Sequence, residues 1–230
     1  MKWAVVAFPG SNCDEDTRFV LSDVFHEDAE IVWHTETSLR GADAVVLPGG
    51  FAHGDYLRCG AIARFSPIMD AVLQHAAHGK LVLGICNGMQ VLTEAGLLPG
   101  ALLRNDSLEF RCQWVNLVLA SPCRQFFGKS LHGAIFRMPI SHGEGRYHCD
   151  PDELAKIAAN GQIVLRYCRG DGTPDPSANP NGSIDAVAGL RNREGTVFGL
   201  MPHPERACDS LIGGTDGAVV FASMIETMHE

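Results

Sequence analysis

The sequence predicts an α/β fold: a mostly parallel sheet with helices on both faces and a small antiparallel excursion. Three observations carry this. Short, unbroken apolar runs recur through the first part of the chain, as strands buried on both faces do. Segments with apolar residues at helical spacing separate them. Glycine-rich loops follow the runs, where a parallel sheet gathers its ligands.

Trp3 to Phe8 (WAVVAF) is the first run. Asp14 to Phe25 follows as a helix, with Phe19, Val20, Val24 and Phe25 on one stripe and Ser11 or Asn12 placed as N-cap. Ala29 to Trp33 and Ala44 to Leu47 are the next strands. Ile62 to His78 reads as a helix and Lys80 to Ile85 as a strand. Asn87 to Gly96 reads as a helix with Met89, Leu92 and Ala95 three apart. Such alternation gives parallel strands joined by crossovers. Further on, Gln113 to Leu119 and Gly133 to Pro139 read as strands with no long helix between them, the antiparallel excursion. Arg169 to Ser183 (RGDGTPDPSANPNGS) has the composition of a flexible surface turn. Ile184 to Leu190 and Thr196 to Met201 make a closing hairpin, and Gly217 to Met228 a terminal helix. No repeat and no linker divides the chain, so residues 1–230 read as one domain.

The composition narrows the function. The 230 residues are 46% hydrophobic, enough for one sizeable core. A net charge of -9, with no basic run, argues against nucleic acid or an anionic membrane as a partner. The first apolar run breaks at Pro9-Gly10, too soon for a signal peptide. No apolar stretch reaches spanning length, and a cytoplasmic location is expected. The 8 cysteines are scattered without a C-x-x-C pair, so neither a disulfide framework nor a metal site is expected.

One cysteine has unusual company. LVLGICNGMQVL, residues 81 to 92, sets Cys86 between Gly84 and Gly88 where strand spacing gives way to helical spacing. A strand-turn-helix corner here forces Cys86 into a strained backbone and lifts its thiol above the sheet. The helix N-terminus favours negative charge, which lowers a thiol pKa and raises the thiolate fraction. The Asn87 N–H is offered to a developing oxyanion. A thiolate in acyl transfer needs a base, and the base an orienter. In LMPHPER, residues 200 to 206, Met201 and His203 each precede a proline and are biased to extended backbone. His203 and Glu205 then face the same way, the carboxylate holding the imidazole. His142 in SHGEG competes for the role of base, with Glu144 two residues on and Gly143 beside it. Gly49 and Gly50 follow a buried strand and offer further oxyanion N–H groups.

Together, PGG after a strand, G-x-C-x-G-x-Q at 84 to 90 and H-P-E at 203 to 205 resemble the class I glutamine amidotransferases. The resemblance implies a flavodoxin-like fold and a glutaminase in which Cys86 attacks the side-chain amide of glutamine. His203 would be base and then acid, Glu205 the orienter, Gly50 and Asn87 oxyanion donors, and Gln90 a substrate-binding residue. His142 and Gly143 would line the pocket.

Longer stretches narrow the match: PGSNCD at 9 to 14, GGFAHGDYLRCGAIARF at 49 to 65, LLPGALLRN at 97 to 105, SHGEGRY at 141 to 147 and NPNGS at 179 to 183. They resemble the glutaminase subunits of phosphoribosylformylglycinamidine synthases, in purine biosynthesis. That implies a large synthetase subunit, which uses ATP and Mg, and a small third subunit. This chain has no G-x-x-x-x-G-K-[ST] loop and needs no cofactor of its own. Asp55, Tyr56 and Arg58 would suit the subunit interface or the pocket rim, or form a local surface ion pair. The alternatives are a glutaminase for another synthetase, or an elbow-cysteine hydrolase or redox sensor of the same fold.

Overall fold

The computed structural model describes residues 1–130 and 132–230. In chain order the elements are β1 (Lys2–Ala7), α1 (Asp14–Phe19), β2 (Asp28–Trp33), β3 (Ala44–Leu47), α2 (Ile68–Ala77), β4 (Leu81–Ile85) and α3 (Asn87–Glu94). Then come β5 (Ala101–Leu103), β6 (Arg111–Leu119), α4 (Arg124–Phe127), β7 (Ile135–His142), β8 (Arg146–His148) and α5 (Pro151–Ala159). The chain closes with β9 (Ile163–Cys168), β10 (Val187–Arg191), β11 (Val197–Leu200) and α6 (Ala218–Met228).

Nine strands form one sheet in the order β2-β1-β3-β4-β11-β10-β9-β6-β7, and β5 pairs with β8 apart from it. From β2 to β11 every pairing is parallel. From β11 to β7 every pairing is antiparallel, so the excursion is larger than its sequence signal. Strand residues of β1, β3 and β4 are almost wholly buried, which is why they read as unbroken apolar runs. The order reverses at β1: β2 lies to one side of it, β3 and β4 to the other. Right-handed crossovers then put α1 and α2 on opposite faces and open a crevice between the ends of β1 and β3.

Several helices differ from the sequence reading. The first segment is α-helical only to Phe19 and continues as a π-helical turn over Val20–Val24. Its N-cap position is Cys13, with no side-chain cap; Ser11 instead accepts a hydrogen bond from the Phe8 amide. The segment from 62 to 78 breaks at Ser66-Pro67 into a 3-10 turn, Ala63–Phe65, and α2, because the proline ring excludes helical backbone before it. The loop from 169 to 183 is not a free surface turn. Asn181 is fully buried and donates to the Gly145 carbonyl at 2.8 Å, and Ser183 is buried beside it. α5 and β9 had no distinct sequence signal. Among the described residues no helix is long and apolar enough to cross a membrane.

Candidate active site

The three glycine-rich loops meet at the crevice. Ser11 and Gly50 form an isolated bridge, and the amides of Asn12 and Cys13 donate to the Gly49 carbonyl at 3.3 and 3.2 Å. Cys86 sits between β4 and α3 with φ 50° and ψ −105°, a left-handed conformation that L-residues rarely adopt. Its amide donates to Leu200 at the end of β11 (2.8 Å), and its carbonyl accepts from Gln90 (3.2 Å). These bonds hold the corner. The flanking glycines let the elements close: a Cβ on Gly88 would overlap the Leu47 carbonyl oxygen, and one on Gly84 would lie 2.5 Å from Leu92 Cδ1.

β11 pairs with β4 in parallel and delivers His203 three residues past its end. His203 is extended (φ −105°, ψ 92°), as expected before Pro204. Glu205 is not extended: Pro204–Arg206 form a 3-10 turn. The contact forms all the same, His203 Nδ1 lying 2.6 Å from Glu205 Oε1. Nε2, the other ring nitrogen, is buried without a hydrogen-bond partner. Burial works against charge on this ring. The Glu205 carboxylate and then Cys86 outweigh it, so the pKa of His203 stands well above the ordinary imidazole value. The arrangement can stabilise an imidazolium between a carboxylate and a thiolate.

His142 is placed differently. It is buried, its Nδ1 lies 3.2 Å from Asn105 Oδ1, and burial with the nearby His203 charge lowers its pKa to about 4. Glu144 does not hold it. That carboxylate accepts from the Cys59 thiol (3.2 Å) and pairs with Arg104 (3.3 Å). Of the two histidines, only His203 has a carboxylate partner and couples to Cys86. Gly143 lies beside Phe110, and its carbonyl accepts from the Asn105 amide (3.0 Å).

Gly49 packs on the ring: a Cβ there would lie 2.7 Å from His203 Cε1. Asn87 opens α3, whose first amides have no partner within the helix. Its side chain accepts from the Ala52 amide (3.1 Å) and donates to Asp55 (3.2 Å) and Gln90 (2.8 Å). Gln90 donates in turn to the Glu144 carbonyl. Asn87 thus ties the nucleophile corner to the loop after Gly50. Burial, aided by Glu144, raises the Asp55 pKa. Tyr56 is exposed, and Arg58 is held by both oxygens of Glu94, at 2.7 and 2.8 Å.

One neighbour of the site escaped the sequence reading. Cys13 Sγ lies 3.9 Å from His203 Nδ1 and 3.2 Å from Arg206 Nη2. Its signal was available: it follows Pro9-Gly10-Ser11-Asn12, one of the loops at the strand ends. A ligand atom from each of Cys13, His203 and Glu205 falls within 4.8 Å of the others, the geometry of a possible cation cluster. The cavity among Asn12, Cys13, Gly50, Phe51, Ser141, His203 and Arg206 is only about 30 Å³. A far larger groove, about 480 Å³, lies behind Glu205 and Arg206 against Phe19, Val24 and Trp114.

Comparison with known proteins agrees with this geometry. Residues 1–214 match the family model described as the CobB/CobQ-like glutamine amidotransferase domain. A phosphoribosylformylglycinamidine synthase subunit PurQ from Moorella thermoacetica is 52% identical, over 98% of this chain and 96% of its own. Its counterpart from Gloeobacter violaceus is 54% identical, over 98% and 97%. Among solved structures, a chain of PurLQS from Thermotoga maritima superposes with a TM-score of 0.87 at 41% identity, covering 99% of this chain and 98% of that one. A glutamine amidotransferase from Thermotoga maritima, 16% identical with a TM-score of 0.62, shares the fold. An elbow cysteine facing a buried His–Glu pair, on a sheet that matches these relatives end to end, places the chain in the CobB/CobQ-like glutamine amidotransferase family.

Proposed function

We propose that the chain is the glutaminase subunit of a phosphoribosylformylglycinamidine synthase. It hydrolyses glutamine to glutamate and ammonia. A synthetase subunit then uses the ammonia, with ATP and Mg, to convert formylglycinamide ribonucleotide to the amidine. A small third subunit completes the complex. The observation that carries the reading is the coupling of His203 to Cys86 on one side and to Glu205, at 2.6 Å, on the other.

The residues assign the steps. The Cys86 thiolate attacks the side-chain carbonyl carbon of glutamine, and the carbonyl electron pair moves onto oxygen. Amides of Gly50 and Asn87 are assigned to that oxyanion. The C–N bond breaks as the His203 imidazolium gives its proton to the leaving nitrogen, so ammonia departs and a glutamyl thioester remains. His203, now neutral, takes a proton from water. The hydroxide formed attacks the thioester, and glutamate leaves as the thiolate is restored. Glu205 holds the ring through Nδ1 and balances its charge, which keeps Nε2 for the chemistry. Gln90 and His142 with Gly143 are assigned to the substrate pocket. The 30 Å³ cavity is too small for a glutamine, in keeping with a site that opens when the synthetase binds.

The test is covalent labelling with an electrophilic glutamine analogue, in a lysate that keeps natural partners, followed by peptide mass mapping. A single adduct at Cys86, blocked by excess glutamine, is the expected result. An intact, unlabelled Cys86 peptide overturns the reading.

A further inference from the structure

We propose that Arg206 is a positioning residue of the triad, a built-in cation that keeps Glu205 ionised and couples the triad to the start of α1. The inference rests on the reading above.

The geometry is specific. Arg206 Nε lies 4.0 Å from Glu205 Oε1, the same oxygen that faces His203. Nη2 reaches Cys13 Sγ at 3.2 Å and Asp16 Oδ2 at 3.3 Å. One guanidinium therefore touches the catalytic carboxylate, the thiol packed on the catalytic ring, and the first turn of α1. Glu205 is buried, and its Oε2 has no hydrogen-bond partner. A buried carboxylate with one satisfied oxygen is costly to ionise unless positive charge stands near. His203 supplies that charge only while protonated, and the reaction cycle removes its proton once per turnover. Arg206 supplies it throughout.

The same logic explains the cluster of Cys13, His203 and Glu205. Three ligand-type atoms within 4.8 Å call for a cation. The guanidinium beside Cys13 already provides one, and it would repel a metal ion. Arg206 also walls the 30 Å³ cavity from the 480 Å³ groove, lining both. Its own pKa is raised: burial works against its charge, and Cys13, Glu205 and Asp16 more than offset that.

The charged and titratable groups around Glu205 are His203, Arg206 and Cys208 on its own segment, Cys13 and Asp16 at the start of α1, and Cys86 at α3. His142 of β7 stands beyond His203. Removing the Arg206 charge has one sign on all three reacting groups. Glu205 takes up a proton more readily, the Cys86 thiolate loses a favourable charge, and the His203 imidazolium loses a repulsive one. Each moves the acid limb of the activity profile to higher pH.

The experiment compares wild type, Arg206→Met and Arg206→Lys as the full chain assembled with its synthetase partners. Glutaminase kcat/KM is followed from about pH 5 to about pH 9. In parallel, the pH dependence of Cys86 alkylation by iodoacetamide is mapped by mass spectrometry, a readout that needs no turnover. Arg206→Met is expected to shift both midpoints up by about one pH unit, and Arg206→Lys to restore most of the shift. A guanidinium that merely clasps α1 predicts a lower melting temperature with both midpoints unmoved, and that result overturns the inference. Wild type that is inert to the electrophilic glutamine analogue at Cys86 sinks the glutaminase reading instead, so the two failures are distinct.

Discussion

Cys86 gives the sharpest stability prediction. Its backbone sits at φ 50° and ψ −105°, where a Cβ crowds the adjacent carbonyl. Holding a non-glycine residue in such a region costs about 1–3 kcal/mol. Cys86→Ala and Cys86→Gly both remove the nucleophile, so activity does not separate them, but stability does. At an ordinary site glycine is the worse residue by about 0.5–1 kcal/mol, because it frees the unfolded chain. At residue 86 the folded state favours glycine by the strain it relieves. The difference leaves Cys86→Gly ahead of Cys86→Ala by about 1 kcal/mol. For a chain of this size that is about 2–4 °C in melting temperature. Thermal melts followed by circular dichroism, with urea midpoints as a second measure, decide it. If Cys86→Gly melts below Cys86→Ala, the corner is not strained and the argument is wrong.

Two further predictions concern the surroundings of the corner. In Gly88→Ala the new methyl meets the Leu47 carbonyl, backbone that cannot swing aside, so α3 must lift from β3. The expected cost is about 3 kcal/mol in urea unfolding, and an unchanged midpoint would refute the close approach. His142 is held neutral, with a pKa of about 4 against an ordinary 6.5. The unfolded chain therefore binds a proton between those values that the folded chain refuses, and stability falls as pH drops through that window, by about 3 kcal/mol at its foot. A His142→Asn variant should lose stability less steeply over the same window, and equal slopes would count against a buried neutral ring.

What the sequence disclosed follows burial. β1, β3 and β4 are packed on both faces, so their composition alone marks them. The triad was legible because its geometry is local: glycines at 84 and 88 flank a thiol, and two residues separate His203 from Glu205. Other features depend on distant contacts. Arg169 to Ser183 reads as a turn, yet Asn181 is buried because the Gly145 carbonyl, 36 positions away, accepts its amide. Phe19 and Val24 mark a helix stripe but remain exposed along the groove behind Glu205. Cys13 and Arg206 carry no motif, and only the crossing of chain segments 193 positions apart makes them neighbours. Glu144, two residues from His142, turns instead to Cys59 and Arg104.

The central place of β11 has a consequence for biosynthesis. It is the last strand made, and it alone joins β4 to β10, the parallel half of the sheet to the antiparallel half. Until it inserts, the Cys86 amide lacks its Leu200 partner and the segment carrying His203 has no anchor beside it. A nascent chain can assemble strands β1 to β4 on the ribosome and still hold an incomplete active site. Glutamine hydrolysis would therefore begin only when nearly the whole protein has emerged, so partial translation products would release no ammonia into the cell.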